Sequence, residues 1–136
     1  MTIKEIQEEI IDEFEMFDDW MERYEYIIEL GKSLPIIDEQ YKTDDNLIVG
    51  CQSKVWLHAT KKEDKIYYTS DSDAILTKGI IALLLRVFTN QKSEDILKAN
   101  TDFIDEIGLK EHLSPTRANG LVSMVKKVKL YALAYS

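Results

Sequence analysis

A chain of 136 residues that is 45% hydrophobic has the size and apolar surface for one core, so a single domain spanning residues 1–136 is expected. Of its 25 acidic side chains 15 lie in residues 1–45, against only 4 of the 17 basic ones, so the net charge of −8 is concentrated in the N-terminal third. Such a field disfavours nucleic acid and anionic membranes as partners; it suits a basic protein surface, or simply keeps the chain soluble.

The residues Met1 to Ile11 mix Lys4, Glu5, Glu8 and Glu9 with isoleucines, which is unlike a signal peptide, and the apolar stretch Gly79 to Leu85 is too short to span a bilayer. A cytoplasmic location is therefore expected. One cysteine, Cys51, excludes an internal disulfide, a CxxC redox pair and a cysteine-rich metal or cluster site. Only His58 and His112 could join it, so no metal is expected.

In chain order, Thr2 and Glu5 form a capping box before a helix that puts Ile3, Ile6, Ile10, Phe14 and Phe17 on one face. A second box, Asp19 with Glu22, opens a helix with Trp20, Tyr24, Ile27 and Ile28 inward, closed by Gly31 and Pro35. Residues Ile36 to Asn46 read as an acidic loop. Three strands follow: Leu47 to Val49, about Lys54 to Thr60, and about Lys65 to Thr69, with the KKED segment Lys61 to Asp64 as a turn. They predict an antiparallel meander sheltered by helices on one side.

After Ser70 to Asp73 the pattern is helical, and the near-continuous apolar segment Ile80 to Phe88 predicts a central buried helix. Ser93 is expected to cap a short helix to about Ala99, and a helical piece from Phe103 to Ile107 ends at Gly108. The last helix has Ser114 as N-cap and Pro115 at its first position, then Leu121, Met124, Val125, Val128, Tyr131 and Tyr135 along one stripe. The fold class is thus α+β: two N-terminal helices, a three-stranded antiparallel sheet, and C-terminal helices packed on it.

Cys51 stands where an apolar strand meets the polar segment Gln52-Ser53-Lys54, directly after Gly50. A glycine there allows a tight exposed loop, yet free cysteine is also among the most buried residue types, and position alone leaves both readings open. A functional thiol needs its thiolate favoured; Lys54 and Arg117 are the candidate cations. A Cys-His dyad has weak support, since His58 falls in a strand pattern and His112 in a loop. Five isolated glycines form no phosphate-cradling loop. Asp71 and Asp73 suit an acid–base pair or, better placed before a long helix, caps for its N-terminus.

Four segments together resemble the SufE family of sulfur acceptors: Tyr24 to Pro35 (YEYIIELGKSLP), Gly50 to Trp56 (GCQSKVW), Ser70 to Gly79 (SDSDAILTKG) and Leu113 to Leu121 (LSPTRANGL). The resemblance covers nearly the whole chain, and the combination is specific where each piece alone is weak. It implies a fold similar to IscU-type scaffolds, and a protein that takes persulfide sulfur from a pyridoxal-phosphate cysteine desulfurase of the SufS or CsdA kind. The sulfur would pass to an iron-sulfur scaffold complex of the SufBCD kind. No cofactor is implied for the chain itself, since pyridoxal phosphate belongs to the desulfurase. Carried over residue by residue, Cys51 is the acceptor, with Gly50, Gln52, Ser53 and Lys54 as loop neighbours. Asp71 and Asp73 become partner-facing or loop-supporting positions, and Arg117, Asn119 and Gly120 the adjoining helix start. A lone thiol suits this role, because a second would resolve the persulfide into a disulfide. Two alternatives stand beside it: a regulatory module that binds a desulfurase without carrying sulfur, and an independent thiol enzyme.

Overall fold

The computed structural model describes all residues, Met1 to Ser136. Helix α1 (Ile3–Glu15) opens on the predicted capping box, with Thr2 and Glu5 each accepting the other's backbone N–H. Helix α2 (Trp20–Gly31) follows, with Asp19 accepting from the Glu22 N–H. A hairpin of β1 (Val55–Lys62) and β2 (Lys65–Ser72) comes next. Its two-residue turn uses left-handed backbone at Glu63 (φ 52°) and Asp64 (φ 68°), as the right-handed twist of the flanking strands requires. Then come α3 (Ile75–Phe88), α4 (Ser93–Lys98), α5 (Asp102–Glu106) and the long α6 (Pro115–Ala134).

Helix α3 is the hub, buried on almost every side, and α1, α2, β2 and α6 all pack on it. Its crossing with α2 is unusually close. A Cβ added at Gly79 would lie 2.2 Å from the Ile27 carbonyl oxygen, so that position requires glycine, and one added at Gly31 would lie a tight 3.1 Å from the Gly79 nitrogen. On the hairpin, Val55, Leu57 and Ala59 of β1 and Ile66, Tyr68 and Ser70 of β2 face the helices. Helix α6 is tied to that face by three tyrosines: Tyr131 donates to the Leu57 carbonyl (2.8 Å), Tyr135 to the Ala59 carbonyl (2.9 Å), and Tyr68 to the Val128 carbonyl (2.8 Å).

The sheet corrects the expected three strands to two. The segment Leu47 to Val49 contributes a single bridge, Leu47 to Trp56, and one Ile48 N–H to Val55 carbonyl bond of 2.9 Å. It is held between a helical turn at Asp44–Asn46 and Gly50 at φ 99°, which turns the chain away before a ladder forms. On the far edge, single bridges from Ile36 to Ser70 and from Gln91 to Ile66 cover β2, so few edge groups remain open. Two cap expectations are also corrected. Because β2 runs on to Ser72, Asp71 is a strand residue opposite Trp56 and Ala74 is the cap of α3, with no side-chain cap bond. Lys92 rather than Ser93 occupies the cap of α4.

Candidate functional site

Cys51 lies in a loop clamped between the starts of α3 and α6. Gly50 sets its direction: at φ 99° it adopts a conformation that L side chains rarely take, and a Cβ there would fall 2.6 Å from the Ser123 hydroxyl of α6. The turn carries Cys51 inward, so its side chain is half-buried and its Sγ is 3.7 Å from the Gly120 carbonyl oxygen, within reach of a weak S–H bond. Gly120 is what permits this approach, since a Cβ there would stand 3.3 Å from the Cys51 Sγ.

The rest of the loop is latched to α3. The Lys54 N–H donates to Asp73 Oδ1 at 3.0 Å, the Asp73 N–H returns a bond to the Lys54 carbonyl at 3.3 Å, and the Ser53 and Thr77 hydroxyls meet at 3.2 Å. Each such bond contributes about 0.5–1.5 kcal/mol net, so the latch holds the loop by only a few kcal/mol. Beside the thiol is a small cavity of about 20 Å³, lined by Ser53, Thr77, Ile80, Thr116, Arg117 and Met124 among others. It has room for about one water-sized particle.

Burial pushes the Cys51 thiol above its usual 9.0, so the closed loop holds a protonated thiol. This corrects the expectation of a stabilised thiolate. Arg117 lines the cavity, yet no cation offsets the burial, and Lys54 reaches Asp73 only through its backbone. Neither histidine adjoins the thiol: His58 stacks on Tyr41 with ring centres 3.8 Å apart, and His112 stacks on Trp20 at 3.9 Å. No three His, Cys, Asp or Glu side chains converge to a metal-binding arrangement. A larger groove of about 750 Å³, between the start of α1 and the α4–α5 region, shares no lining residue with the Cys51 cavity.

Of the residues singled out in the sequence, the structure brings together Gly50, Cys51, Gln52, Ser53, Lys54, Asp73, Arg117 and Gly120. Asn119 is exposed and does not line the cavity, and Asp71 is engaged elsewhere. Asp71 pairs with Lys42 (2.8 Å) and Lys78 (3.4 Å); burial raises its carboxyl, but the Lys42 bond and the nearby charges outweigh it and leave the pKa below the usual range. It fastens the Glu39–Tyr41 turn and the first turns of α3 to β2. Sequence reasoning missed Thr77, Ile80, Thr116, Ser123 and Met124. Thr77 had a readable signal: a polar side chain in a helix otherwise buried all round must find a partner, and it finds Ser53.

No helix is long and apolar enough to cross a membrane. Among solved structures the chain resembles the solution structure of a hypothetical protein from Thermus thermophilus, with a TM-score of 0.79 over 95% of this chain and 94% of that one at 18% identity, a likeness of fold. An uncharacterized SufE-like protein of Rhizobium meliloti is 41% identical over 90% of this chain and 91% of its own length. One of Rhizobium etli is 39% identical over 90% and 86%. The SufE-like protein 1 of Arabidopsis thaliana, described as chloroplastic/mitochondrial, is 38% identical over 93% of this chain and 34% of its own length. Residues 8–132 match the SufE family, described as an Fe-S metabolism associated domain, and with that match and these identities the chain belongs to the SufE family.

Proposed function

We propose that this chain is a sulfur acceptor that takes the outer sulfur of a cysteine desulfurase persulfide onto Cys51 and passes it to an iron-sulfur scaffold. The observation that carries the reading is a lone thiol on a latched loop, facing a cavity with room for about one further atom. In the transfer, the Cys51 thiol gives its proton to solvent and its sulfur attacks the donor's outer sulfur. The donor's S–S bond breaks, the departing donor thiolate takes up a proton, and Cys51 becomes a persulfide. One S–S bond is lost and one gained, so no oxidant is required.

The high thiol pKa belongs to the closed loop. Opening it breaks three modest hydrogen bonds and a weak S–H contact, a cost of about 2–4 kcal/mol that keeps the open loop a minor population. Sheltering the thiol between encounters then protects a persulfide from stray thiols, and donor docking selects the open loop. A desulfurase of the SufS or CsdA kind and a scaffold complex of the SufBCD kind in the cytoplasm are the partners this reading assigns. Pyridoxal phosphate stays with the desulfurase, and this chain works as an accessory protein with a covalent intermediate.

The test is Cys51→Ser in a desulfurase turnover assay. On this reading the wild type stimulates turnover by taking the donor's sulfur away, and the variant is expected to fold and dock while losing that stimulation. Full stimulation by Cys51→Ser overturns the carrier reading in favour of a non-carrying regulatory module, the alternative that a sheltered, protonated thiol would suit. Turnover of a thiol substrate by this chain alone would instead mark an independent enzyme.

A further inference from the structure

The Cys51 loop has a base as well as a latch. Its two ends meet at the Leu47–Trp56 bridge and at the 2.9 Å bond from the Ile48 N–H to the Val55 carbonyl, so residues 49–54 form the loop and these pairs its stem. Antiparallel pairing that sets 48 against 55 and 47 against 56 assigns the next rung to Asn46 and Leu57. That rung lacks its backbone half. Asn46 ends the helical turn Asp44–Asn46, and its N–H is committed to the Thr43 carbonyl at 3.1 Å.

Tyr131 of α6 fills the gap. Its hydroxyl stands 2.5 Å from Asn46 Oδ1 and 2.8 Å from the Leu57 carbonyl oxygen, so one proton is shared between the two ends of the missing rung. The Asn46 amide is held in that orientation, because its Nδ2 donates to the Tyr41 carbonyl at 2.8 Å. Tyr41 stacks on His58, whose ring meets Tyr131 edge-on at 6.5 Å. Lys127 lies over the Tyr131 ring and donates to the Asp45 carbonyl at 3.4 Å. Tyr135, one turn on, makes the same kind of bond to the Ala59 carbonyl, but its hydroxyl reaches nothing in the segment that leads into the loop.

We propose that Tyr131 is a positioning residue for Cys51: its hydroxyl clasps the base of the loop, so that opening swings residues 49–54 about a fixed stem and presents the thiol along one path. The inference rests on the sulfur-acceptor reading and adds the group that aims the opened thiol. Without the clasp, only the bridge and one backbone bond hold the stem at the sheet edge, and the loop opens by unzipping. A thiol on an unzipped loop is reachable by any small reagent. It is less often aligned with a donor's S–S bond, and alignment is what the transfer requires. The clasp therefore affects exposure and transfer in opposite directions.

The experiment compares the full chain with Tyr131→Phe, Asn46→Ala, their double variant and Tyr135→Phe in two assays. The first is iodoacetamide alkylation of Cys51 across urea concentrations below the unfolding transition; the second is single-turnover sulfur transfer from a persulfide-charged, pyridoxal-phosphate-loaded cysteine desulfurase at saturation. Tyr131→Phe is expected to be alkylated about fivefold faster, with a steeper dependence on urea because a larger segment opens, and to transfer sulfur about tenfold more slowly. Asn46→Ala breaks the same rung from its other end and is expected to match it, with the double variant no worse than either single one. It also carries the test should Tyr131→Phe fail to fold. Tyr135→Phe loses an equivalent bond and is expected to keep the wild-type values in both assays. Clasp variants that are alkylated like Tyr135→Phe, or that transfer sulfur as fast as the wild type, would overturn the proposal. A wild type that gains no sulfur would overturn the acceptor reading instead, and the clasp would then stand or fall on the alkylation rates and their urea dependence.

Discussion

Glycine brings elements into contact in two regions of this molecule, with different consequences. At the α2–α3 crossing, Gly79 faces the backbone carbonyl of Ile27, and nothing there can move aside. At the Cys51 loop, Gly120 faces a thiol on a turn fastened by a few hydrogen bonds, exposed or only partly buried. The first contact is part of the core and the second is releasable. A close approach made backbone to backbone fixes the fold; one made against a latched side chain can open for a partner.

Alanine substitution separates the two. Helix propensity alone predicts that Gly→Ala inside a helix gains about 0.5–1 kcal/mol. At Gly79 a Cβ 2.2 Å from a backbone oxygen outweighs that gain, and Gly79→Ala is expected to lose about 3 kcal/mol or more in chemical denaturation. Gly50→Ala comes next, at about 1–2 kcal/mol, because φ 99° is strained for any L side chain and Ser123 must also give way. Asp73→Ala removes the side-chain bond of the latch and is expected to cost about 1 kcal/mol, with Cys51 alkylation by iodoacetamide about tenfold faster. Gly120→Ala is expected to change stability by less than about 1 kcal/mol in either direction, since the propensity gain offsets the crowding. Its alkylation still quickens, because the thiol at 3.3 Å must yield.

The smallest effect is on pH dependence. Burial raises the Cys51 thiol above its usual 9.0, so the closed loop favours the protonated form. Its contribution is fully present below the ordinary thiol range and is lost as pH rises through the raised value. The alkylation rate of the wild type should therefore climb with pH to a higher midpoint than that of Asp73→Ala. Coinciding midpoints would show that the loop does not shelter the thiol.

The helices were legible because each carries its own signal: the Thr2 box, the Asp19 and Ser114 caps, and the unbroken apolar run of α3. The third strand was not, since Leu47 to Val49 has strand composition while its fate depended on Gly50 turning the chain and on a helical turn just before it. The segment Gly50 to Lys54 was readable as one loop around Cys51, and Asp73 was marked as a helix cap or loop support without the Lys54 N–H from which it accepts. The latch itself joins Lys54 to Asp73 across 19 residues, with the Lys54 backbone N–H donating to the Asp73 carboxylate, and nothing in the sequence marks that backbone group as its partner. The thiol's protonation followed the same rule: Lys54 and Arg117 are near in sequence or space, but burial decides.

The most direct measurement is intact mass after a single turnover of persulfide-charged desulfurase with this chain, followed by peptide mapping. The account predicts one added sulfur atom, located on Cys51, removable by a reducing thiol and absent from Cys51→Ser. A wild type that leaves the reaction with its mass unchanged, after the donor has lost its sulfur, would contradict it.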